Sequence, residues 1–190
     1  YTSLFDKVKK TGADGVFLGG LIDENGAQVI KDKVAVLGPN DGVKLFGPDG
    51  FATQATIDEA GAASAGMFLS VAGQPIDAYK GKALEFVNDL LAGPLSGKAI
   101  DPYAIYGAQA AQILLDAIAA SDGTRADVIS KMFASDVQDG LLGSFTFNED
   151  GDPVAAGSAS VVAITIYKAT DKLETAETIS PQQSTVDAAL

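Results

Sequence analysis

The feature that most constrains the fold is an alternation of helical and strand-like segments over the first 75 residues. Residues 2–11, 24–36 and 53–60 have the apolar spacing of helices, with Gly12 as a plausible stop for the first. Three short apolar runs that begin or end next to glycine read as buried strands: 15–18, 43–46 and 66–71. Strands and helices that alternate with short connections form parallel crossovers. The sequence therefore predicts an α/β fold with a doubly wound parallel sheet.

The middle of the chain is predicted to be helical. Residues 79–92 show helical spacing, and Asp101-Pro102 is typical of a helix start, with aspartate as N-cap and proline at the first helical position. The helix that follows is apolar on most sides, so we expect it to be deeply packed. Its most apolar stretch, residues 104–120, is interrupted by polar residues, which favours a core helix over a membrane span.

The end of the chain returns to strand patterns. Thr124 to Asp127 resembles a capping box before a helix that reaches about residue 134. Residues 143–147 alternate like a half-buried strand, residues 148–152 are turn-like, and residues 158–167 are rich in β-formers. Residues 180–190 are polar and are expected to fray. Because the chain opens on a helix with no strand before it, we expect an incomplete sheet, part of a larger fold.

Composition excludes several classes of function. The chain has 13 basic and 25 acidic residues, a net charge of −12, and neither cysteine nor histidine. Disulfides, the usual zinc sites and histidine-dependent nucleophiles are therefore ruled out, and the negative charge disfavours a nucleic-acid partner. Asn148, Asp150 and Asp152 alternate as in a calcium loop, but Pro153 stands where that loop needs glycine, so we expect a hairpin turn and no metal. Since no residue pair suggests catalysis, we expect a protein that is not an enzyme and uses no cofactor.

Two glycine-rich loops lie where ligands bind in such folds. Gly19-Gly20 and the turn Gly47 to Gly50 each follow a predicted strand, and ligands of open α/β sheets bind beyond the carboxyl ends of strands. Glycine lets backbone groups approach a ligand closely, and Asp49 adds a carboxylate that suits an ammonium group. The alternative is a plain β-turn in which Asp49 caps the next helix.

A set of ordered motifs resembles one known family. The motifs are residues 1–20 with their helix and Gly-Ala-Asp-Gly-Val-Phe-Leu-Gly-Gly, Gly47-Pro48-Asp49-Gly50, Ala60-Gly61 with Gly66-Met67, Tyr106-Gly107-Ala108, and Gly140 to Phe145 with Gly151-Asp152. Each is weak alone, but their order and spacing are similar to the C-terminal half to three-fifths of branched-chain amino acid binding proteins of ABC importers. These have the type I periplasmic-binding fold.

The resemblance implies an architecture and a role. The fold would be Rossmann-like and incomplete, with residues 1–78 in lobe two, 79–142 returning to lobe one, and 143–190 returning to lobe two with a polar tail. The full protein would be an extracytoplasmic monomer, periplasmic or membrane-anchored, that closes around leucine or a related amino acid and delivers it to a membrane permease. A ligand-sensing receptor or regulator domain of the same fold is the alternative.

The resemblance also implies ligand-binding residues. The family's acidic residue in the Gly-Pro-Asp/Glu-Gly turn binds the ligand ammonium, and Asp49 stands there with Gly47 and Pro48. Gly20 is the second glycine of the Gly-Gly pair. In some proteins of the family the residue after this pair contacts the ligand and is often aromatic; here it is Leu21. The loop before the central helix adds two further candidates, Asp101 and Tyr103.

Overall fold

The computed structural model of the protein describes residues 1–98, 100–155, 163–180, 182, 184 and 185. These divide into two compact units, Tyr1–Ala72 with Ile164–Ile179, and Gly73–Ala163 with Ser180–Leu190. The strand prediction for residues 158–162 and most of the fraying prediction for the tail fall outside the described residues.

Six α-helices and eight strands are formed by the described residues. In chain order they are α1 (Thr2–Thr11), β1 (Gly15–Phe17), α2 (Gly26–Leu37), β2 (Lys44–Gly47), α3 (Gln54–Ala60), β3 (Phe68–Ala72), α4 (Gly81–Ala92), α5 (Ala104–Ala120), α6 (Arg125–Phe133), β4 (Asp136–Gly140), β5 (Gly143–Phe147), β6 (Pro153–Ala155), β7 (Ile164–Ala169) and β8 (Leu173–Ile179). Short 3₁₀ helices add Asp49–Phe51, Gly61–Ser64 and Ile76–Ala78.

The first unit contains a five-stranded sheet in the order β1-β2-β3-β7-β8. Strands β1, β2 and β3 are parallel, with Val16 opposite Leu45 and Phe46 opposite Phe68. Strands β7 and β8 extend the sheet in antiparallel pairing, β7 lying beside β3. The α/β prediction is confirmed, and the first three strands occur where the apolar runs predict them. Strand β8 was not anticipated, because its sequence, Leu-Glu-Thr-Ala-Glu-Thr-Ile, contains no apolar run.

One strand prediction was wrong in its burial. Residues 15–18 read as a fully buried strand, but β1 is the outer strand of the sheet, and the Phe17 ring is 63% exposed. An edge strand has a neighbouring strand on one side only, so its side chains can remain exposed. An apolar run therefore does not by itself establish burial. Leu18, just after the strand, is buried as expected.

The first unit contains an apolar core and a buried polar pair, Lys33 and Asn40. Leu45, Met67 and Leu69 are fully buried in the core cluster. Lys33 is also fully buried, and its Nζ donates hydrogen bonds to the carbonyl oxygens of Gly38 and Val43 and to Oδ1 of Asn40. The pair fastens the end of α2 to the chain entering β2, which fixes where that strand begins.

The second unit combines α4, α5 and α6 with an antiparallel sheet in the order β4-β5-β6. Its core cluster is formed by Tyr79, Ala83, Val87 and Ile105. Gln109 is also buried, and its Oε1 accepts a hydrogen bond of 3.3 Å from the backbone N–H of Leu142. Strand β4 was not predicted, since Asp136 to Gly140 has no β-rich pattern.

Two expectations for α5 were wrong. The helix begins at Ala104, with Tyr103 in the N-cap position, so Pro102 is not its first residue. Asp101 instead closes a turn, since its Oδ1 accepts a 2.8 Å hydrogen bond from the backbone N–H of Tyr103. The helix is also less packed than predicted, because Leu115 is 62% exposed. An apolar sequence shows which faces can be buried and does not supply the partner that buries them.

The predicted caps and turns are largely confirmed. Gly12 ends α1 with a left-handed φ of 72°. Thr124 Oγ1 accepts the backbone N–H of Asp127 at 3.3 Å, but the Asp127 carboxylate accepts the backbone N–H of Asp122 rather than closing the box on Thr124.

Among the described residues there is no group of three or more carboxylates placed to hold a metal ion. Within the same part of the chain, no helix has the length and apolarity needed to cross a membrane.

Candidate functional site

The candidate site lies at the carboxyl edge of the parallel strands in the first unit. Strands β1 and β2 run in register, with Phe17 opposite Phe46, so the chain leaves both strands at the same edge. The backbone N–H of Leu18 still donates to Phe46 at 2.8 Å, which keeps the two exits adjacent. The segment 19–21 and the turn 48–50 are therefore neighbours.

Direct contacts hold these two segments together. The backbone N–H of Ile22 donates to the carbonyl oxygen of Gly50 at 3.0 Å. A Cβ added to Gly50 would lie 2.7 Å from Cβ of Leu21 and 3.0 Å from the carbonyl oxygen of Gly20. Side chains do not approach so closely, so this position requires glycine. The structure thus brings Gly20 and Leu21 against the turn that contains Asp49.

Gly47 and Pro48 form the first half of the turn. Gly47 is buried, and a Cβ there would lie 2.8 Å from Cε of Met67 and 3.2 Å from Cδ2 of Leu69. Pro48 precedes the 3₁₀ helix Asp49–Phe51, and its carbonyl oxygen accepts the backbone N–H of Phe51 at 3.0 Å. Gly47 therefore serves close packing, while the buried Phe51 ring anchors the turn to the core.

Asp49 is the exposed acidic group of this turn. Its Oδ1 accepts the backbone N–H of Gly50 at 3.0 Å. It does not cap the following α-helix, whose N-cap residue is Thr53, so that part of the plain-turn alternative does not hold. An exposed carboxylate beside the glycine-rich segment of residues 19–20 has the charge and access to bind an ammonium group.

Exposed apolar side chains lie at the same edge of the sheet. Leu21 is 40% exposed and touches the turn, as the contacts of Gly50 require. The exposed Phe17 ring stacks on Phe46, with centroids 6.0 Å apart and an angle of 22° between the planes. Sequence reasoning missed Phe17 because it stands inside a short apolar run; the signal available was its place two residues before the Gly-Gly pair.

The remaining candidates, Asp101 and Tyr103, belong to the second unit. Their mutual hydrogen bond places both at the entrance of α5. The Tyr103 ring meets Tyr106 edge to face, with centroids 5.9 Å apart. Tyr106 packs in turn on Gly73, where a Cβ would lie 2.1 Å from its hydroxyl oxygen. Seven candidates are thus distributed over two clusters, five residues in the first unit and two in the second.

Comparison with known sequences yields no match: neither a protein-family model nor a curated protein corresponds to the chain. Solved structures do match it. A leucine-binding protein LivK from Thermotoga maritima MSB8 superposes with a TM-score of 0.75 at 17% identity, over 95% of this chain and 48% of its own.

Two further structures agree with that result. A solute-binding protein of an ABC transporter from R. palustris, in complex with benzoate, gives a TM-score of 0.66 at 22% identity, over 94% of this chain and 46% of its own. A periplasmic binding protein type 1 from Bordetella pertussis Tohama I gives a TM-score of 0.66 at 20% identity, over 92% of this chain and 48% of its own. The chain spans about half the length of the structures it matches. It has the α/β fold of type I periplasmic-binding proteins, in a partial form.

Proposed function

We propose that this chain is the C-terminal part of an extracytoplasmic solute-binding protein that captures an amino acid, branched-chain or related, for an ABC importer. The observation that supports this most is the carboxyl edge of the first unit, where the Asp49 turn contacts the Gly20-Leu21 segment. The fold of ABC-transporter binding proteins supports the same role. The role is non-enzymatic, since binding and release suffice for delivery.

The proposed mechanism is closure of two lobes around the ligand. Residues 1–78 supply one lobe, residues 79–142 return to the other, and residues 143–190 cross back. Each lobe offers one side of the contact, so a ligand on this chain alone stays half in water. Closure completes its burial and hydrogen bonding, and the membrane permease then recognises the closed form.

Asp49 determines which ligands are accepted. In the proposal its carboxylate binds the α-ammonium group, and the exposed apolar surface of Leu21 lies nearby for a branched side chain. The benzoate complex of the R. palustris protein is a useful contrast, because benzoate has a carboxylate and no ammonium group. An anionic ligand without an ammonium group would be repelled by Asp49.

The test is a titration of the ¹⁵N-labelled chain by NMR with L-leucine, with 4-methylpentanoate, which is leucine without the amino group, and with benzoate. We expect leucine to shift the amide signals of residues 20–21 and 48–50 with a dissociation constant of about 1 mM or weaker, since half of the contacts are missing. The other two compounds should leave these signals unchanged.

Variants localise the effect. Asp49→Asn keeps the size of the side chain and removes its charge, so it should abolish the leucine shifts. Asp14→Asn is the matched control, because Asp14 is exposed and precedes β1, at the opposite edge of the same sheet. Equal shifts with 4-methylpentanoate, or an unchanged response in Asp49→Asn, would contradict the ammonium site. Micromolar binding by the chain alone would contradict the two-lobed mechanism.

A further inference from the structure

Aspartate followed by glycine is a dipeptide in which the backbone can attack its own side chain. The glycine nitrogen closes a five-membered ring when it bonds to the aspartate Cγ, and glycine has no Cβ to hinder that closure. The chain contains six such pairs, which begin at Asp14, Asp41, Asp49, Asp122, Asp139 and Asp150. The six have the same intrinsic chemistry, so their surroundings in the folded chain determine which of them reacts first.

In the pair Asp49-Gly50 the glycine nitrogen lies against the carboxyl group of its own aspartate. The backbone N–H of Gly50 donates to Oδ1 of Asp49 at 3.0 Å, and Oδ1 is bonded to the Cγ that the nitrogen would attack. Reacting groups held about 3–3.5 Å apart are close to the geometry of reaction. The Asp49 side chain is exposed, so water can leave the carboxyl group and return to it.

In three of the other pairs the glycine N–H is directed to a different acceptor. The donor and acceptor residues, each 3.1 Å apart, are Gly42 with the carbonyl oxygen of Pro39, Gly123 with Oγ of Ser121, and Gly151 with the carbonyl oxygen of Asn148. Each of these nitrogens must break its hydrogen bond before it can approach its aspartate. The two remaining glycines, Gly15 and Gly140, belong to strands β1 and β4.

Packing also keeps glycine in the reactive pair of the turn. A Cβ at Gly50 would lie 2.7 Å from Cβ of Leu21, so the fold excludes a side chain that would slow ring closure. The turn therefore places an exposed carboxyl group, an adjacent nucleophile and an obligatory glycine at one position.

We propose that Asp49-Gly50 is a self-modification site, at which Asp49 converts to isoaspartate through a cyclic imide. The Gly50 nitrogen forms a bond to Cγ of the protonated Asp49 carboxyl group and loses its proton. The C–OH bond of that carboxyl group breaks, and the hydroxyl leaves with the proton as one water molecule. Water then adds to one of the two imide carbonyls. Addition at Cγ restores Asp49, whereas addition at the α-carbonyl yields isoaspartate. One water molecule is released and one is consumed, so no other reactant is needed.

Isoaspartate changes the turn where the candidate site lies. The main chain then passes through Cβ and Cγ of the residue, which adds one atom between Cα and the Gly50 nitrogen, and the remaining carboxylate is attached directly to Cα. The contact of Gly50 with Leu21 and the 3.0 Å hydrogen bond from Ile22 to Gly50 depend on the original length. We expect the isomerised protein to lose its response to leucine. This consequence rests on the proposed function, whereas the isomerisation does not.

Peptide mapping of the aged chain tests the proposal. The purified protein is kept for several weeks at physiological temperature in mildly acidic buffer, and a parallel sample is kept in guanidinium chloride. Protein isoaspartyl methyltransferase detects isoaspartate, and electron-transfer fragmentation assigns it to a residue. In the folded protein we expect at least about tenfold more isoaspartate at Asp49 than at Asp41, Asp122 or Asp150, because proximity favours ring closure there. In denaturant this preference should disappear, since the fold no longer positions the groups.

Asp49→Glu is the matched control. Glutamate keeps the carboxylate and its charge, but its longer side chain would have to close a six-membered ring, which forms far more slowly. Hydroxylamine opens the cyclic imide and should trap it in the Asp49 peptide of wild type and not in the variant. Equal isoaspartate at Asp49 and the three comparison sites of the folded protein, or an excess at Asp49 that persists in denaturant, would overturn the proposal.

The leucine titration of the aged protein is a separate readout. Isomerisation at Asp49 in a chain that shows no response to leucine even when fresh would contradict the proposed function and leave the modification site standing. Leucine binding by fresh protein without isoaspartate at Asp49 would contradict the modification site alone.

Discussion

Replacing the buried Lys33 by methionine should destabilise the first unit. Lys33 is fully buried, and its ammonium group donates to three neutral oxygens, those of Gly38, Asn40 and Val43. Asn40 is held in turn by hydrogen bonds of 2.9 Å from Nδ2 to the carbonyl oxygens of Ala63 and Ala65. Methionine has similar length but no donor. The change therefore removes the donor from one buried acceptor, Oδ1 of Asn40, and from two half-buried carbonyl oxygens.

The magnitude follows from two opposing terms. The buried Asn40 acceptor that loses its donor costs about 1–3 kcal/mol, and the half-buried carbonyl oxygens of Gly38 and Val43 cost about 1 kcal/mol each, because water can partly replace the donor. Removing the ammonium group recovers part of this, since its burial is itself costly. We expect a net loss of about 1–2 kcal/mol in the free energy of unfolding, compared with the roughly 5–15 kcal/mol typical of a domain. The control Lys31→Met, at an exposed position of the same helix, should change it by less than about 0.5 kcal/mol.

The pH dependence supplies an independent check. Burial, assisted by repulsion from Lys44, lowers the pKa of Lys33 from its usual 10.5. The unfolded chain then binds more protons than the folded chain between the lowered pKa and 10.5, so the Lys33 contribution to stability rises with pH in that window. Below the window it is constant. The stability difference between wild type and Lys33→Met should widen as the pH approaches 10.5.

Urea unfolding followed by circular dichroism gives both quantities, and hydrogen exchange with mass spectrometry assigns the loss to peptides of the first unit. A variant that unfolds within about 0.5 kcal/mol of wild type would show that the three hydrogen bonds give no net stabilisation. A difference that narrows toward pH 10.5 would refute the argument that burial disfavours the charged form of Lys33.

Other predictions concern glycine, hydroxyl and cap positions. Gly73→Ala should cost at least about 2 kcal/mol in thermal unfolding, since φ is 114° and the Cβ would clash with Tyr106, whereas Gly107→Ala should be neutral or stabilising. Tyr106→Phe should cost less than about 0.5 kcal/mol, because the buried hydroxyl has no hydrogen-bond partner among the described residues. Thr124→Ala should cost about 1 kcal/mol through loss of the α6 cap, measured by urea unfolding. Hydrogen bonds from Thr124 lower the pKa of Asp122 from 3.8, so its stabilisation is present above that pH and is lost as the pH falls through the lowered value; an acid titration of Asp122→Asn should lack this component.

Local patterns predicted the parallel half of the first unit well. The strands β1, β2 and β3 and the helices between them follow from apolar periodicity and glycine punctuation, and element ends differ from the predictions by a few residues. These signals act over short distances, so one sequence contains them. The position of β7 beside β3 depends on pairing across about a hundred residues, and no local pattern encodes such a partner.

The candidate site was predictable in its location but not in its contacts. That Gly20 and Asp49 share one edge follows from the parallel order of the strands. The packing of Leu21 on Gly50, which excludes a side chain there, is a three-dimensional contact that the sequence does not reveal. The same holds for the exposure of Phe17. The error over α5 has the same origin. Leu114 and Ile118 are apolar as a core residue would be, but burial depends on a partner surface that lies outside the helix itself.

The residues of the Gly47 to Gly50 turn have different physical roles. Packing excludes a side chain at Gly50, where a Cβ would lie 2.7 Å from Cβ of Leu21, and crowds one at Gly47, where the nearest atom is the terminal Cε of Met67. Neither reason depends on a ligand. Asp49 differs from them because its side chain is exposed and its Oδ1 accepts the backbone N–H of Gly50. Asparagine would keep that acceptor. Asp49→Asn therefore removes the charge that the proposed ammonium contact needs and keeps this acceptor, whereas a substitution at Gly50 reports on packing.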